Sequence, residues 1–152
     1  MKIDALGHIT KPLQPAFFVN KTDSGQTIGA SAVETVTFNN EVFDQNGDFA
    51  SSTFTAPVAG RYWFKAQVRT DAVAANTGIY SLRLVCSNRQ INDTKVTLAS
   101  FLEEEMARMV TTISGLMDMD ASDTAIIQIY EDGGFEVEDE AEETYFMGYL
   151  VC

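Results

Sequence analysis

From Pro15 onward the chain runs in short apolar stretches separated by Gly, Asn, Asp and Ser, a pattern that predicts an all-β sandwich or barrel. The clearest alternation follows Pro57 and Gly60. Over Arg61–Val68, Tyr62, Phe64, Ala66 and Val68 share one face, while Arg61, Trp63, Lys65 and Gln67 share the other. Ile79–Val85 repeats the pattern, with Tyr80, Leu82 and Leu84 opposite Ser81 and Arg83. Ala16–Asn20 reads as a first strand that sends Phe17 and Phe18 to opposite faces. Val33–Phe38 alternates as well, and Asp123–Tyr130 and Thr144–Val151 are two further β-rich runs. Lys21–Ala30 reads as a polar, Gly-bearing loop, and Asn46-Gly47 as a turn after Val42-Phe43.

Two segments stand apart. Phe101–Met109 begins with three glutamates after Leu102, and its first half has the composition of a short helix. The β-branched run Val110-Thr111-Thr112-Ile113 turns the prediction back to strand. Residues 1–14 form a separate leader, in which Pro12 and Pro15 are expected to hold an extended backbone around Leu13-Gln14. The jelly-roll domain proper is then residues 15–152.

Composition narrows the classes. At 152 residues the chain is the size of one domain, and 45% hydrophobic with 21% charged residues excludes whole-chain disorder or a collagen repeat. No uncharged apolar run approaches the roughly 18–20 residues that span a bilayer, so membrane insertion is not expected. The start, Met1-Lys2-Ile3-Asp4, lacks the apolar stretch of a secretory signal. Twenty-two acidic against ten basic residues give a net charge of −12, the wrong sign for nucleic acid or an anionic membrane surface.

Catalytic chemistry finds little material. His8 is the only histidine, and Cys86 and Cys152 are the only cysteines, read as small apolar residues rather than a disulfide framework. A histidine relay or a zinc site therefore lacks ligands, and neither a phosphate loop nor a nucleophile elbow is present. Glu136–Glu143 holds six carboxylates in eight positions, enough oxygen for calcium in principle. The spacing does not match an EF-hand, so this stretch and Glu103-Glu104-Glu105 read as solvated loops with no metal or other cofactor. The expectation is a protein that is not an enzyme.

One resemblance spans residues 15–152. The stretch Phe54-Thr55-Ala56-Pro57-Val58-Ala59-Gly60-Arg61-Tyr62-Trp63-Phe64 resembles the signature of the C1q-like globular domain. Pro15-Ala16-Phe17 is similar to its first strand, Leu82-Arg83-Leu84 to the strand before its central turn, and Tyr145-Phe146-Met147-Gly148-Tyr149-Leu150 to its closing strand. Ser122 stands where that family usually has a glycine, and no Gly-x-y stalk precedes the domain. The resemblance implies an all-β, two-sheet antiparallel jelly-roll sandwich of about ten strands, assembled as a homotrimer.

The residues supply a physical reason for that assembly. Tyr62, Phe64, Phe146 and Leu150 are expected between the sheets as core. Phe18, Trp63, Lys65, Gln67, Tyr145, Met147 and Tyr149 then face outward, and their aromatics exceed what a monomer normally exposes. They are the expected trimer interface, unless loops of the same chain cover them. The leading functional reading is a structural and binding module at a virion surface, a capsid decoration or a fibre tip contacting the host. Its leader would attach to the larger assembly through Ile3, Leu6, Ile9 and Leu13. The alternative is a soluble, extracellular recognition protein that binds glycans or proteins.

Overall fold

The computed structural model describes residues 1–3, 5–73, 78–92, 96–97 and 106–152. Every regular element among them is a β-strand. The leader contributes β1 (Lys2–Ile3) and β2 (Ile9–Thr10), which pair with each other antiparallel. The leader therefore folds back as a ribbon rather than running extended. Its Pro12 sits inside a turn closed by the Gln14 amide donating to the Lys11 carbonyl at 2.9 Å, a place where a proline's fixed φ is already correct.

The remaining strands form two sheets of seven. One holds β3 (Ala16–Asn20), β4 (Gln26–Ile28), β6 (Asn40–Asp44), β9 (Gly60–Val73), β13 (Met106–Met119), β15 (Phe135–Val137) and β16 (Tyr145–Leu150). The other holds β5 (Ala32–Thr35), β7 (Phe49–Ala50), β8 (Thr53–Thr55), β10 (Ile79–Cys86), β11 (Arg89–Asn92), β12 (Val96–Thr97) and β14 (Thr124–Glu131). All pairings are antiparallel, and the chain crosses between sheets repeatedly, as a jelly roll requires.

Two other sequence expectations need correction. Lys21–Ala30 is not all loop, because Gln26–Ile28 pairs with Phe135–Val137 and buries Ile28. Nor is the acidic stretch all loop: Val137 is buried in that same pairing and Glu136 lies within the strand. Met106–Met109 belongs to β13, where pairing with β9 overrides helix propensity, while the helix expected over the first half of 101–109 lies outside the described residues.

The core lies between the sheets and is aromatic at its centre. Phe17 stacks on Phe49 and Phe54 with ring centroids 5.1 and 5.0 Å apart, and meets Phe146 edge-on at 5.0 Å. Tyr62, Phe64 and Phe146 are fully buried, and Leu150 is partly buried against them. The Tyr62 hydroxyl donates to the Val58 carbonyl at 2.8 Å, so this large side chain enters the core with its polar end satisfied. Gly148 is an inward position in β16. A Cβ there would come within 3.0 Å of the Phe17 and Phe64 rings, so only glycine leaves room for that stack. Cys86 is buried at the end of β10, and burial pushes its thiol up to about 12, which keeps it protonated and unreactive.

Candidate functional site

Because β9, β16 and β3 bury one side of their period-two pattern, their other side must form the outer face of the sheet. Register fixes what meets on that face. Leu116, Trp63, Tyr149 and Ala16 lie in one cross-strand row over β13, β9, β16 and β3. The next row is Ser114, Lys65, Met147, Phe18 and, on β6, Phe43. The third is Thr112, Gln67, Tyr145, Asn20 and Asn40. All seven residues expected at an interface thus fall on one surface.

The rings of this face touch one another without being covered. Trp63 and Tyr149 lie 5.6 Å apart, Phe18 and Tyr145 5.6 Å, and Phe18 and Phe43 6.4 Å. The Lys65 ammonium sits 5.6 Å from the centroid of the Tyr145 ring. Leu116, Phe43 and Tyr149 remain 52%, 50% and 46% exposed. No loop among the described residues closes over them, so the face is a contiguous apolar patch rather than scattered exposed residues. Phe43 and Leu116 complete it and were not singled out from sequence. The alternation of β13 carries Leu116, but Phe43 could be placed only by knowing that β6 pairs with β3 across a bulge.

The face ends in a charged rim. Arg69, next but one to Gln67 on β9, is nearly buried. It donates two hydrogen bonds to Asp71 at 2.6 and 2.8 Å, and reaches Glu143 at 3.2 Å and Glu140 at 3.5 Å. Its hydrogen bonds hold the Asp71 carboxyl below the usual range, whereas burial, reinforced by Asp71 and Glu136, raises Glu138. This pinning gives part of the acidic segment a structural role that composition alone did not reveal. Among the described residues no group of three or more His, Cys, Asp or Glu side chains is arranged to hold a metal ion.

The leader occupies the end of the sandwich near the C-terminus. The Gln14 side-chain amide donates to the Leu150 carbonyl, Gln45 to the Lys11 carbonyl at 2.9 Å, and Asn46 to the Leu13 carbonyl at 3.3 Å. Between leader and body lies a cleft of about 840 Å³, lined in part by Leu13, Pro57, Val58, Leu150 and Cys152. Of the expected attachment residues, Ile3, Leu6 and Leu13 are 63%, 82% and 83% exposed, and Ile9 lies in β2. No helix is long and apolar enough to cross a membrane among the described residues.

The C1q domain family matches residues 16–151, which is the sandwich without its leader. The chain belongs to that family. C1q-type domains are recognition and binding modules that typically form trimers. Solved structures share the fold at low identity. The globular domain of zebrafish complement 1qA is 20% identical, with a TM-score of 0.63 over 91% of this chain and 98% of that one. Murine APRIL is 11% identical, with a TM-score of 0.63 over 91% and 99%. Eiger TNF from S. frugiperda is 9% identical, with a TM-score of 0.66 over 91% and 93%. A search of the curated proteins finds no match.

Proposed function

We propose that this C1q-type domain works as a homotrimer whose subunits join through the outer face of β13, β9, β16, β3 and β6, with Phe18, Trp63, Lys65, Gln67, Tyr145, Met147 and Tyr149 in the contact. The observation that carries this reading is the trio of cross-strand rows, which leaves three half-exposed large side chains on one continuous surface. Burying such a face returns roughly 25 cal/mol per Å² of apolar surface, and a single subunit has nothing to bury it against. The reading makes the protein a binding module rather than an enzyme, in keeping with a chain that offers one histidine and a thiol pushed up to about 12 by burial.

The finer proposal is a module at a virion surface, a decoration or fibre tip, attached to a larger assembly through the leader. Its support is the leader's chemistry: Ile3 and Leu6 project into solvent from the β1–β2 ribbon, and Leu13 from the segment after it, whose Lys11 and Leu13 carbonyls are hydrogen-bonded to the sandwich. Deleting residues 1–14 should leave a folded trimer that no longer incorporates into that assembly. Unchanged incorporation of the shortened chain would contradict the leader's role.

A further inference from the structure

We propose that Asn46 is a self-modifying site: its side-chain amide is lost to attack by the following glycine, and the carboxylate that replaces it loosens the leader. The modification and the loosening follow from the bend between β6 and β7. Only their consequence for attachment rests on the leader's proposed role. Asn46 is the one asparagine in the chain that precedes a glycine, and both residues are exposed. Gly47 has a φ of 76°, and beyond its chain neighbours no atom lies within 4 Å of the place a Cβ would take. Its backbone nitrogen is therefore an unhindered nucleophile beside the Asn46 side-chain carbonyl.

The contacts that restrain the reacting groups are weak. The Asn46 side-chain amide donates to the Leu13 carbonyl at 3.3 Å and to the Asp48 carboxylate at 3.4 Å, both beyond the usual hydrogen-bond length. The Gly47 amide donates to the Asp44 carboxylate at 3.2 Å, and this exposed bond must open before the nitrogen can attack. Opening one such bond slows the reaction by a factor of roughly ten at most.

Water is the only co-reactant. The Gly47 nitrogen gives its proton to hydroxide and bonds to the Asn46 side-chain carbonyl carbon. The bond from that carbon to Nδ2 breaks, and Nδ2 leaves as ammonia with a proton from water. Water then opens the cyclic imide at either carbonyl. One opening gives aspartate; the other gives isoaspartate, in which the side-chain methylene enters the backbone.

Both products replace a donor with a group that only accepts. The new carboxylate faces two further acceptors, the Leu13 carbonyl and Asp48. Burial already raises the Asp48 carboxyl, and the Asn46 amide is the donor that eases it, so the exchange turns an attraction into repulsion. Gln45, the neighbour of Asn46 in the same bend, holds the Lys11 carbonyl at 2.9 Å. Two fastenings of the leader thus depend on one short stretch of backbone, which isoaspartate lengthens.

The test ages the folded chain in mildly alkaline buffer beside a synthetic peptide of residues 42–51, with peptide mapping to read the amide-to-acid change at each asparagine. Asn46 should convert before any other asparagine, within roughly tenfold of the peptide's rate. Hydrogen exchange over residues 1–14 should become roughly three- to tenfold faster in the aged chain and in Asn46→Asp. Aged and fresh Asn46→Gln should exchange alike, because the longer side chain closes the ring far more slowly. Conversion that trails other asparagines, or lags the peptide beyond that margin, overturns the site. Conversion without faster exchange of the leader overturns the loosening. Both effects together with unimpaired incorporation into the larger assembly would uphold this inference and contradict the leader's attachment role.

Discussion

The two sheets obey the same alternation inward and differ outward. In the β14-centred sheet, Tyr80, Leu82 and Leu84 of β10 and Ala125, Ile127 and Ile129 of β14 are buried, just as Tyr62, Phe64 and Phe146 are in the other. Outward, that sheet places Arg83, Gln128 and Thr35 in one row, and its aromatic residue is already engaged. Arg83 lies 5.6 Å from the Tyr130 ring centroid, and the Tyr130 hydroxyl donates to Asp132. The β9-centred sheet instead leaves Trp63, Tyr149, Phe18, Phe43 and Leu116 facing solvent. Burial against the core explains the inner pattern of both sheets. Only the outer residues tell which sheet is built to be covered.

The sharpest break of this contrast is a matched pair of charges. Trp63→Asp places a carboxylate in the aromatic face and should cost association about 2 kcal/mol or more per contact, roughly thirtyfold, while the chain stays folded. Ile126→Asp, on the outer side of the second sheet and opposite Val85, should leave the oligomeric state unchanged. Size-exclusion chromatography with light scattering distinguishes the two. Equal losses would mean that the two outer faces do not differ in role.

A smaller effect tests the rim. Asp71 is depressed by its hydrogen bonds to Arg69, so its contribution is fully present above the unfolded value near 3.8 and is lost as pH falls through the lower folded value. Glu138 is raised by burial and is relieved on protonation, which opposes part of that loss. Acid unfolding of the unaltered chain should therefore steepen below about pH 4, and Asp71→Asn should flatten that limb while lowering stability at neutral pH. Chemical denaturation across pH 2–7 reads both.

The smallest expected effect lies at the far side of the comparison, in the turn between β13 and β14. Ser122 has a φ of 75°, while its amide donates to the Ala56 carbonyl at 2.8 Å. The hydrogen bond holds a left-handed backbone that serine adopts at a cost. Ser122→Gly should raise stability by up to about 1 kcal/mol, seen as a higher Tm, without changing association.

That turn also illustrates what was legible beforehand. The departure from glycine at Ser122 could be read from the family pattern, and the backbone there is left-handed. The inward and outward sides of β9 and β16 were legible because period two is a local property of a strand. Phe43 was not, since its side depends on a bulge between Phe18 and Val19 in the pairing of β3 with β6. The strand at Gln26–Ile28 escaped because three residues carry too little pattern, and its pairing partner lies more than a hundred positions away. Arg69 illustrates a third limit. Its carboxylate partners at Glu140 and Glu143 are brought together by the close of the sandwich, which no spacing in the chain announces.

The mass of the unaltered protein in solution tests the central claim most directly. Sedimentation equilibrium at micromolar concentration should give a single species at three times the chain mass of 16.7 kDa. A folded species that stays at one chain mass across that range would mean that the aromatic face is stable in water, and the account would be contradicted.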